Sequence, residues 1–189
     1  MALTYSEMID LGTTAPSFDL PIANPGVDDR NGDTRHSADF ADARALVVAF
    51  TCNHCPYVHA VEDRLIALAK DYAPKQVQVV AISSNDAVAY PADSFEKMAA
   101  RAAAKGYPFP YLYDESQEVA HAYGAVCTPD FFVFDADHAL VYRGRLDDGR
   151  PSKTTVTQHD LRRALDELLA TGAVTAEQIP SMGCSIKWK

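Results

Sequence analysis

The chain has 189 residues, of which 48% are hydrophobic and 23% charged, and its formal net charge is −9. The length and composition are those of one soluble globular domain. The acidic balance disfavours nucleic acid and anionic membrane surfaces as partners, because both attract clustered lysine and arginine. The sequence lacks the long apolar run of a membrane-spanning helix, and its N-terminal residues lack the pattern of a secretory signal. We therefore expect a cytoplasmic protein.

The first half of the chain predicts two strand–helix units. The apolar run at 45–51 has the pattern of a strand buried on both faces, and apolar residues at three- and four-residue steps predict a helix over about 55–73. A second buried strand is predicted at 77–84. A helix follows at 93–106, with Asp93 as its N-cap.

The second half predicts a strand at 110–114, a short helix at 115–124, a β-hairpin over 130–146 and a last helix that ends at Gly172. The polar segment 23–38 is predicted as a loop. This element order predicts an α/β fold with a mixed central sheet, which has a parallel core, an antiparallel edge hairpin and flanking helices.

Two cysteines, Cys52 and Cys55, lie where the first central strand meets its helix. The carboxyl ends of strands in α/β sheets usually carry the chemistry. A helix N-terminus favours a thiolate and can lower a cysteine pKa to roughly 3.5–7.5. His54, between the cysteines, adds a cation when protonated. We therefore predict that Cys52 forms a thiolate well below its ordinary pKa, and that the pair opens and closes as a disulfide.

A structural metal site is disfavoured, because structural zinc needs four ligands, usually from two such cysteine pairs. The chain has a single pair, and Cys127 and Cys184 stand apart from it. We expect neither a metal nor another cofactor. Cys127 and Cys184 are possible extra redox thiols or small buried packing residues, and Cys184 would pair with Cys52 or Cys127 if it took a redox role.

Two further features concern the later part of the chain. Pro129 precedes a predicted interior strand, which a trans proline would disrupt, so we predict a cis bond at Thr128–Pro129. This turn should lie against the cysteine pair, with the Thr128 backbone open to an extended substrate. The tail at 173–189 is too apolar to stay in water, and we expect it to fold back on the domain with Trp188 as its anchor.

Several motifs together resemble the thioredoxin-fold superfamily, in the redoxin branch that includes AhpC/TSA-like peroxiredoxins and TlpA-like thiol reductases. The resemblance covers nearly the whole chain, as one domain over 1–189 with a redoxin-type inserted helix. More narrowly, the chain is similar to a bacterial group of redoxins with a CNHCP motif and a "GCSIKWK"-like tail. The motifs are "APSFDLP", "VVAFTCNHCPYV", "VVAISSND", "FPYLYDESQEVAHAYGAVCTPDFFVFD" and "LVYRGRLDD".

The resemblance implies Cys52 as the attacking thiol, Cys55 as the resolving thiol and His54 as a group that stabilises the thiolate. It also implies that Thr128 and Pro129 form a cis-proline, substrate-binding loop beside them. The strand before Cys52 carries no carboxylate, so the proton acceptor for Cys55 is unassigned.

The resemblance implies a thiol–disulfide oxidoreductase that reduces or exchanges disulfides in protein or small-thiol partners, with an upstream thiol reductant. The alternative is an antioxidant thiol peroxidase that uses Cys52, for which Arg143 or Arg145 is the candidate activating arginine. A third hypothesis is a protein that handles Cu(I), because soft thiolates suit that ion.

Overall fold

The secondary structure comprises ten strands and four α-helices within residues 3–189, the part of the chain that the computed structural model describes. The strands are β1 Leu3–Tyr5, β2 Asp19–Pro21, β3 Thr34–His36, β4 Ala45–Phe50, β5 Val77–Ser83, β6 Tyr111–Tyr113, β7 Cys127–Thr128, β8 Asp130–Asp135, β9 Leu140–Gly144 and β10 Met182–Ser185. The helices are α1 Pro56–Tyr72, α2 Phe95–Lys105, α3 Glu118–Tyr123 and α4 Asp160–Thr171.

The central sheet has five strands in the order β6-β5-β4-β8-β9. Strand β4 pairs in parallel with β5, and β5 with β6, whereas β4 with β8 and β8 with β9 are antiparallel pairs. The prediction of a mixed sheet with a parallel core and an antiparallel edge hairpin is confirmed. The prediction of a loop at 23–38 is wrong in part, because β3 pairs there with β2. Three residues are too few to show a period-two pattern.

Alternate residues of β4 point into two separate cores, because successive side chains of a strand face opposite sides of the sheet. Val47 and Ala49 pack in the core under α1, α2 and α4. Leu46, Val48 and Phe50 pack in the other core, which α3 and β2 help to close. All six residues of β4 are buried. Within residues 3–189, the helices are all too short or too polar to cross a bilayer.

Helix α2 begins later than predicted. Its N-cap is Ser94, whose Oγ accepts a hydrogen bond from the Lys97 amide at 3.4 Å. Asp93 ends a preceding 3-10 helix and is fully buried. The assignment of Asp93 as the N-cap is therefore wrong. Ser94 caps the helix, and the Asp93 side chain is buried instead.

The tail forms the middle strand of a second sheet, in the order β1-β10-β7. Cys184 in β10 is opposite Leu3 on one side and Thr128 on the other. Ile186 is only 3% exposed, whereas Trp188 is 37% exposed and stacks on His121 with ring centroids 4.2 Å apart. Ile186 is thus the buried anchor of the tail, in place of Trp188.

Candidate active site

The two cysteines of the CxxC motif lie at the carboxyl edge of the central sheet. Strand β4 ends at Phe50, and Cys55 is the N-cap residue of α1, which begins with Pro56. Proline suits the first helical position, where an amide would lack a partner in any case. Cys52 and Cys55 are both buried, with 1% and 0% of their surface exposed.

Thr128 touches both sulfurs. Cys52 Sγ lies 3.4 Å from Thr128 Oγ1, and Cys55 Sγ lies 3.2 Å from the Thr128 carbonyl oxygen. The Thr128–Pro129 peptide bond is cis. The predicted loop therefore lies against the cysteine pair. The expectation that the Thr128 backbone is open to a substrate is wrong, because Thr128 pairs with Cys184 of β10.

A buried carboxylate, Asp93, stands on the other side of Cys52. Its Oδ2 lies 2.5 Å from His54 Nδ1 and accepts a hydrogen bond from Asn85 Nδ2 at 2.8 Å. Its Oδ1 accepts one from the Asn53 amide at 2.7 Å. These contacts satisfy a carboxylate that has no exposed surface. The carboxylate also orients His54.

Tyr90 fixes the His54 ring from one face. The two rings are stacked, with centroids 5.5 Å apart and an interplanar angle of 5°. A sulfur of Cys52, a ring nitrogen of His54 and a carboxylate oxygen of Asp93 all lie within 4.8 Å of one another. A thiol, an imidazole and a carboxylate in this order form the arrangement in which a base, held by a third group, activates a nucleophile.

The negative charge of the cysteine pair is placed on Cys55. The hydrogen bond from the Cys52 thiol first, and then those from the Cys184 thiol and the amides of Val58 and Cys184, together lower the pKa of Cys55 to about 4 against the effect of burial. The Thr128 carbonyl oxygen, 3.2 Å from Cys55 Sγ, disfavours a negative charge on that sulfur.

The pKa of Cys52 is raised well above its ordinary value. The hydrogen bond that Cys52 shares with Cys55 is the largest cause, followed by burial and the Asp93 charge. The prediction of a low pKa for Cys52 is therefore wrong in this structure. Cys55 is itself the N-cap residue of α1. The amides of the first helical turn, which were expected to stabilise a thiolate at Cys52, therefore stabilise one at Cys55.

The donor set of Cys52, His54 and Asp93 is also the group within residues 3–189 that could hold a metal ion. Mixed sulfur, nitrogen and oxygen ligands suit zinc better than Cu(I). A metal bound to both His54 Nδ1 and Asp93 would have to displace the proton between them. The expectation of a metal-free site remains a prediction.

The two remaining cysteines differ in their contacts. Cys184 Sγ lies 2.9 Å from Cys55 Sγ, so the structure brings this thiol to Cys55 and not, as expected, to Cys52 or Cys127. Cys127 Sγ lies 3.9 Å from the Pro129 carbonyl oxygen. Burial raises the pKa of Cys127, with a smaller effect of Asp130. The surroundings of Cys127 are those of a packing residue.

The two candidate arginines are bound elsewhere. Arg143 donates to Gln178 Oε1 at 2.8 Å. Arg145 donates to Asp160 Oδ2 at 2.7 Å and to Gln158 Oε1 at 2.5 Å. Their guanidinium groups are thus engaged with other side chains.

Comparison with known proteins assigns the family. The AhpC/TSA family matches residues 11–143. The chain belongs to the AhpC/TSA family. None of the curated proteins matches it.

Two solved structures are similar to this AhpC/TSA chain over nearly its full length. An uncharacterized conserved protein from Geobacillus kaustophilus is 51% identical, with a TM-score of 0.93, and the match covers 100% of this chain and 97% of that one. A hypothetical protein from Sinorhizobium meliloti 1021 is 48% identical, with a TM-score of 0.91 and 98% of each chain covered. The match with the Geobacillus kaustophilus protein therefore includes the tail, which lies beyond the family match.

More distant structures share the fold. Peroxidoxin BcpB from Mycobacterium tuberculosis is 20% identical, with a TM-score of 0.58, and the match covers 87% of this chain and 96% of that one. A putative thiol:disulfide interchange protein DsbE from Chlorobium tepidum is 18% identical, with a TM-score of 0.63 and coverages of 86% and 99%. Both confirm the thioredoxin-like fold.

Proposed function

We propose that the protein is a thiol–disulfide oxidoreductase that uses Cys52 and Cys55 to reduce or exchange disulfides in protein or small-thiol partners. The observation that carries this proposal is the buried pair of cysteines at the start of α1, with Thr128 in contact with both sulfurs. A pair of thiols that shares one proton suits disulfide exchange, because one sulfur can attack while the other resolves.

In the proposed reaction Cys52 attacks a substrate disulfide. His54, held by Asp93, has a ring nitrogen within 4.8 Å of Cys52 Sγ and takes the Cys52 proton through one water. A Cys52–substrate disulfide forms, and one substrate sulfur leaves as a thiolate. The Cys55 thiolate then attacks Cys52 Sγ, forms the Cys52–Cys55 disulfide and releases the second substrate thiolate. An upstream thiol reductant returns the pair to the reduced form.

The alternative, a thiol peroxidase, draws support from the AhpC/TSA family assignment. The positions of Arg143 and Arg145 disfavour it, because both are bound to other side chains. Paired thiols also point to exchange with disulfides more than to peroxide reduction.

Insulin reduction and hydrogen peroxide consumption, measured side by side with dithiothreitol as reductant, test the proposal. We expect wild-type protein to reduce insulin, and Cys52→Ser and Cys55→Ser to lose this activity. Cys55→Ser should accumulate a mixed disulfide with an aromatic disulfide probe, whereas Cys52→Ser should not. Cys127→Ser is the matched control and should retain activity. Rapid peroxide consumption without insulin reduction would refute the proposal in favour of the peroxidase.

Asp93→Asn tests the role of the His54–Asp93 pair. We expect turnover to fall about 100-fold, the size of a general-base contribution. A fall in the free energy of unfolding that accompanies the loss of turnover would instead indicate a structural role.

A further inference from the structure

The thiol of Cys184 lies at the centre of the site although it is 129 residues away from Cys55 in sequence. Strand β10 carries Cys184 and is held on both edges, by β1 and by β7. Gly183 permits this approach, because an added Cβ there would lie 1.9 Å from the Thr128 carbonyl oxygen. The register of β10 therefore sets the position of Cys184 beside Cys55.

The contact between the two sulfurs is close. The separation of 2.9 Å between Cys184 Sγ and Cys55 Sγ is within hydrogen-bond distance and is shorter than ordinary packing of two sulfur atoms. Cys184, Cys52, Cys55 and Val58 form one buried cluster. If Cys184 were only a packing residue, it would not need to contact Cys55, the charged cysteine of a reactive pair.

We propose that Cys184 is a third redox thiol of this site, which takes over the disulfide from Cys52 by forming a disulfide with Cys55. This proposal rests on the proposed function, because the Cys52–Cys55 disulfide supplies the oxidised sulfur. No further oxidant is needed, since the step exchanges one disulfide for another.

In this step the sulfur of Cys184 attacks Cys55 Sγ. The Cys55–Cys184 bond forms, the Cys52–Cys55 bond breaks, and Cys52 leaves with the electron pair. Cys52 then takes up the proton that Cys184 gives up. The protein keeps the same number of electrons, and Cys52 is again a thiol beside His54 and Asp93.

The electrostatics of the site favour this sequence of events. In the reduced protein, burial first, then the hydrogen bond with Cys55 and the Cys55 charge, raise the pKa of Cys184 to about 12, so Cys184 stays a thiol and donates to Cys55. Once Cys55 is part of a disulfide, its charge is gone, and the attraction of Lys187 for a Cys184 thiolate remains. Cys184 therefore becomes a better nucleophile when the Cys52–Cys55 disulfide has formed.

Peptide mapping under non-reducing conditions tests the proposal. Reduced protein is treated with one equivalent of oxidised glutathione, quenched in acid, blocked with N-ethylmaleimide and digested with trypsin. Cys52 and Cys55 fall in the tryptic peptide 45–64, and Cys184 falls in the peptide 164–187. A cross-link between these two peptides reports a disulfide of Cys184 with the CxxC pair.

We expect wild-type protein to give both the internal disulfide of peptide 45–64 and the cross-linked product. Cys52→Ser and Cys55→Ser should both lose the cross-link, because neither variant can form the Cys52–Cys55 disulfide from which it arises, and fragmentation should place the wild-type bond on Cys55. Cys127→Ser is the matched control and should behave as wild type. Near-ultraviolet circular dichroism checks the fold of each variant, and fragmentation of the wild-type cross-link identifies the linked cysteine even if a variant does not fold.

The outcomes separate the two proposals. An internal disulfide without any cross-link in wild type would overturn the role of Cys184 and leave the proposed function intact. A cross-link that persists in Cys55→Ser would assign Cys52 as the partner and also overturn this proposal. Loss of the internal disulfide in both wild type and Cys184→Ala would count against the proposed function itself.

Discussion

At the residue scale, the position of a single charge decides how the thiol pair works. Cys52 and Cys55 share one hydrogen bond, and the surroundings of each decide which sulfur loses its proton. The Asp93 carboxylate next to Cys52 opposes a second negative charge there, whereas the amides of Val58 and Cys184 stabilise one on Cys55.

A thiolate titration by ultraviolet absorbance near 240 nm tests this charge distribution. We expect the reduced protein to keep one thiolate down to a pH of about 4, the pKa of Cys55. This transition should be absent from Cys55→Ser and unchanged in Cys127→Ser. If Cys52→Ser abolished the early transition and Cys55→Ser kept it, the charge would belong to Cys52.

At the scale of secondary-structure elements, α2 is attached to α1 through one buried carboxylate. Glu62 of α1 is 3% exposed and accepts two hydrogen bonds from Arg101 of α2, at 2.7 and 2.8 Å. Tyr107, just after α2, donates to the same carboxylate at 2.5 Å. Lys105 lies 3.1 Å from Glu62, and its side chain is 38% exposed against 20% for Arg101.

Arg101→Met should therefore destabilise the protein strongly, because it leaves the buried Glu62 charge without its bidentate partner. We expect the free energy of unfolding to fall by about 3 kcal/mol. Lys105→Met is the matched control and should cost less than about 1 kcal/mol, as for an exposed ion pair. Urea unfolding measures both changes. Equal losses in the two variants would contradict a special role for the buried pair.

At the scale of the whole molecule, Asp130 lies where the two ends of the chain meet the central sheet. It begins β8, next to Pro129, and is fully buried. Burial raises its pKa well above the ordinary 3.8, and its polar neighbours Ser181 and Ser6 offset this only in part. Those two serines come from segments at opposite ends of the chain.

Asp130→Asn should change how stability depends on pH. A raised pKa means that the favourable contribution of this carboxyl group is complete below its ordinary pKa of 3.8 and is lost as the pH rises through the raised value. As the pH rises from 5 to 8, the free energy of unfolding of the variant should therefore increase by on the order of 1 kcal/mol relative to that of wild type. Urea unfolding at both pH values measures the gain. Asp42→Asn, at an exposed position, is the control and should show none.

The elements that the sequence predicts well are those with long apolar patterns. The strands β4 and β5 and the helix α1 have such patterns, and they bring Cys52 and Cys55 to the sheet edge. The partners of these thiols come from short segments without a pattern. Asp93 is next to Ser94, and either residue type is a good N-cap for α2, so the sequence does not decide which one is buried. Strand β10 has only four residues. Their positions depend on tertiary contacts, which local sequence patterns do not reveal.

The pairing of β10 with β7 has a kinetic consequence. A polypeptide substrate that adds a strand at Thr128 has to displace β10 first, because Thr128 is already paired with Cys184. The rate with such a substrate then saturates, at high concentration, at the rate at which β10 opens, and this limit is the same for every such polypeptide. A small disulfide that reaches Cys52 without strand pairing keeps a rate proportional to its concentration.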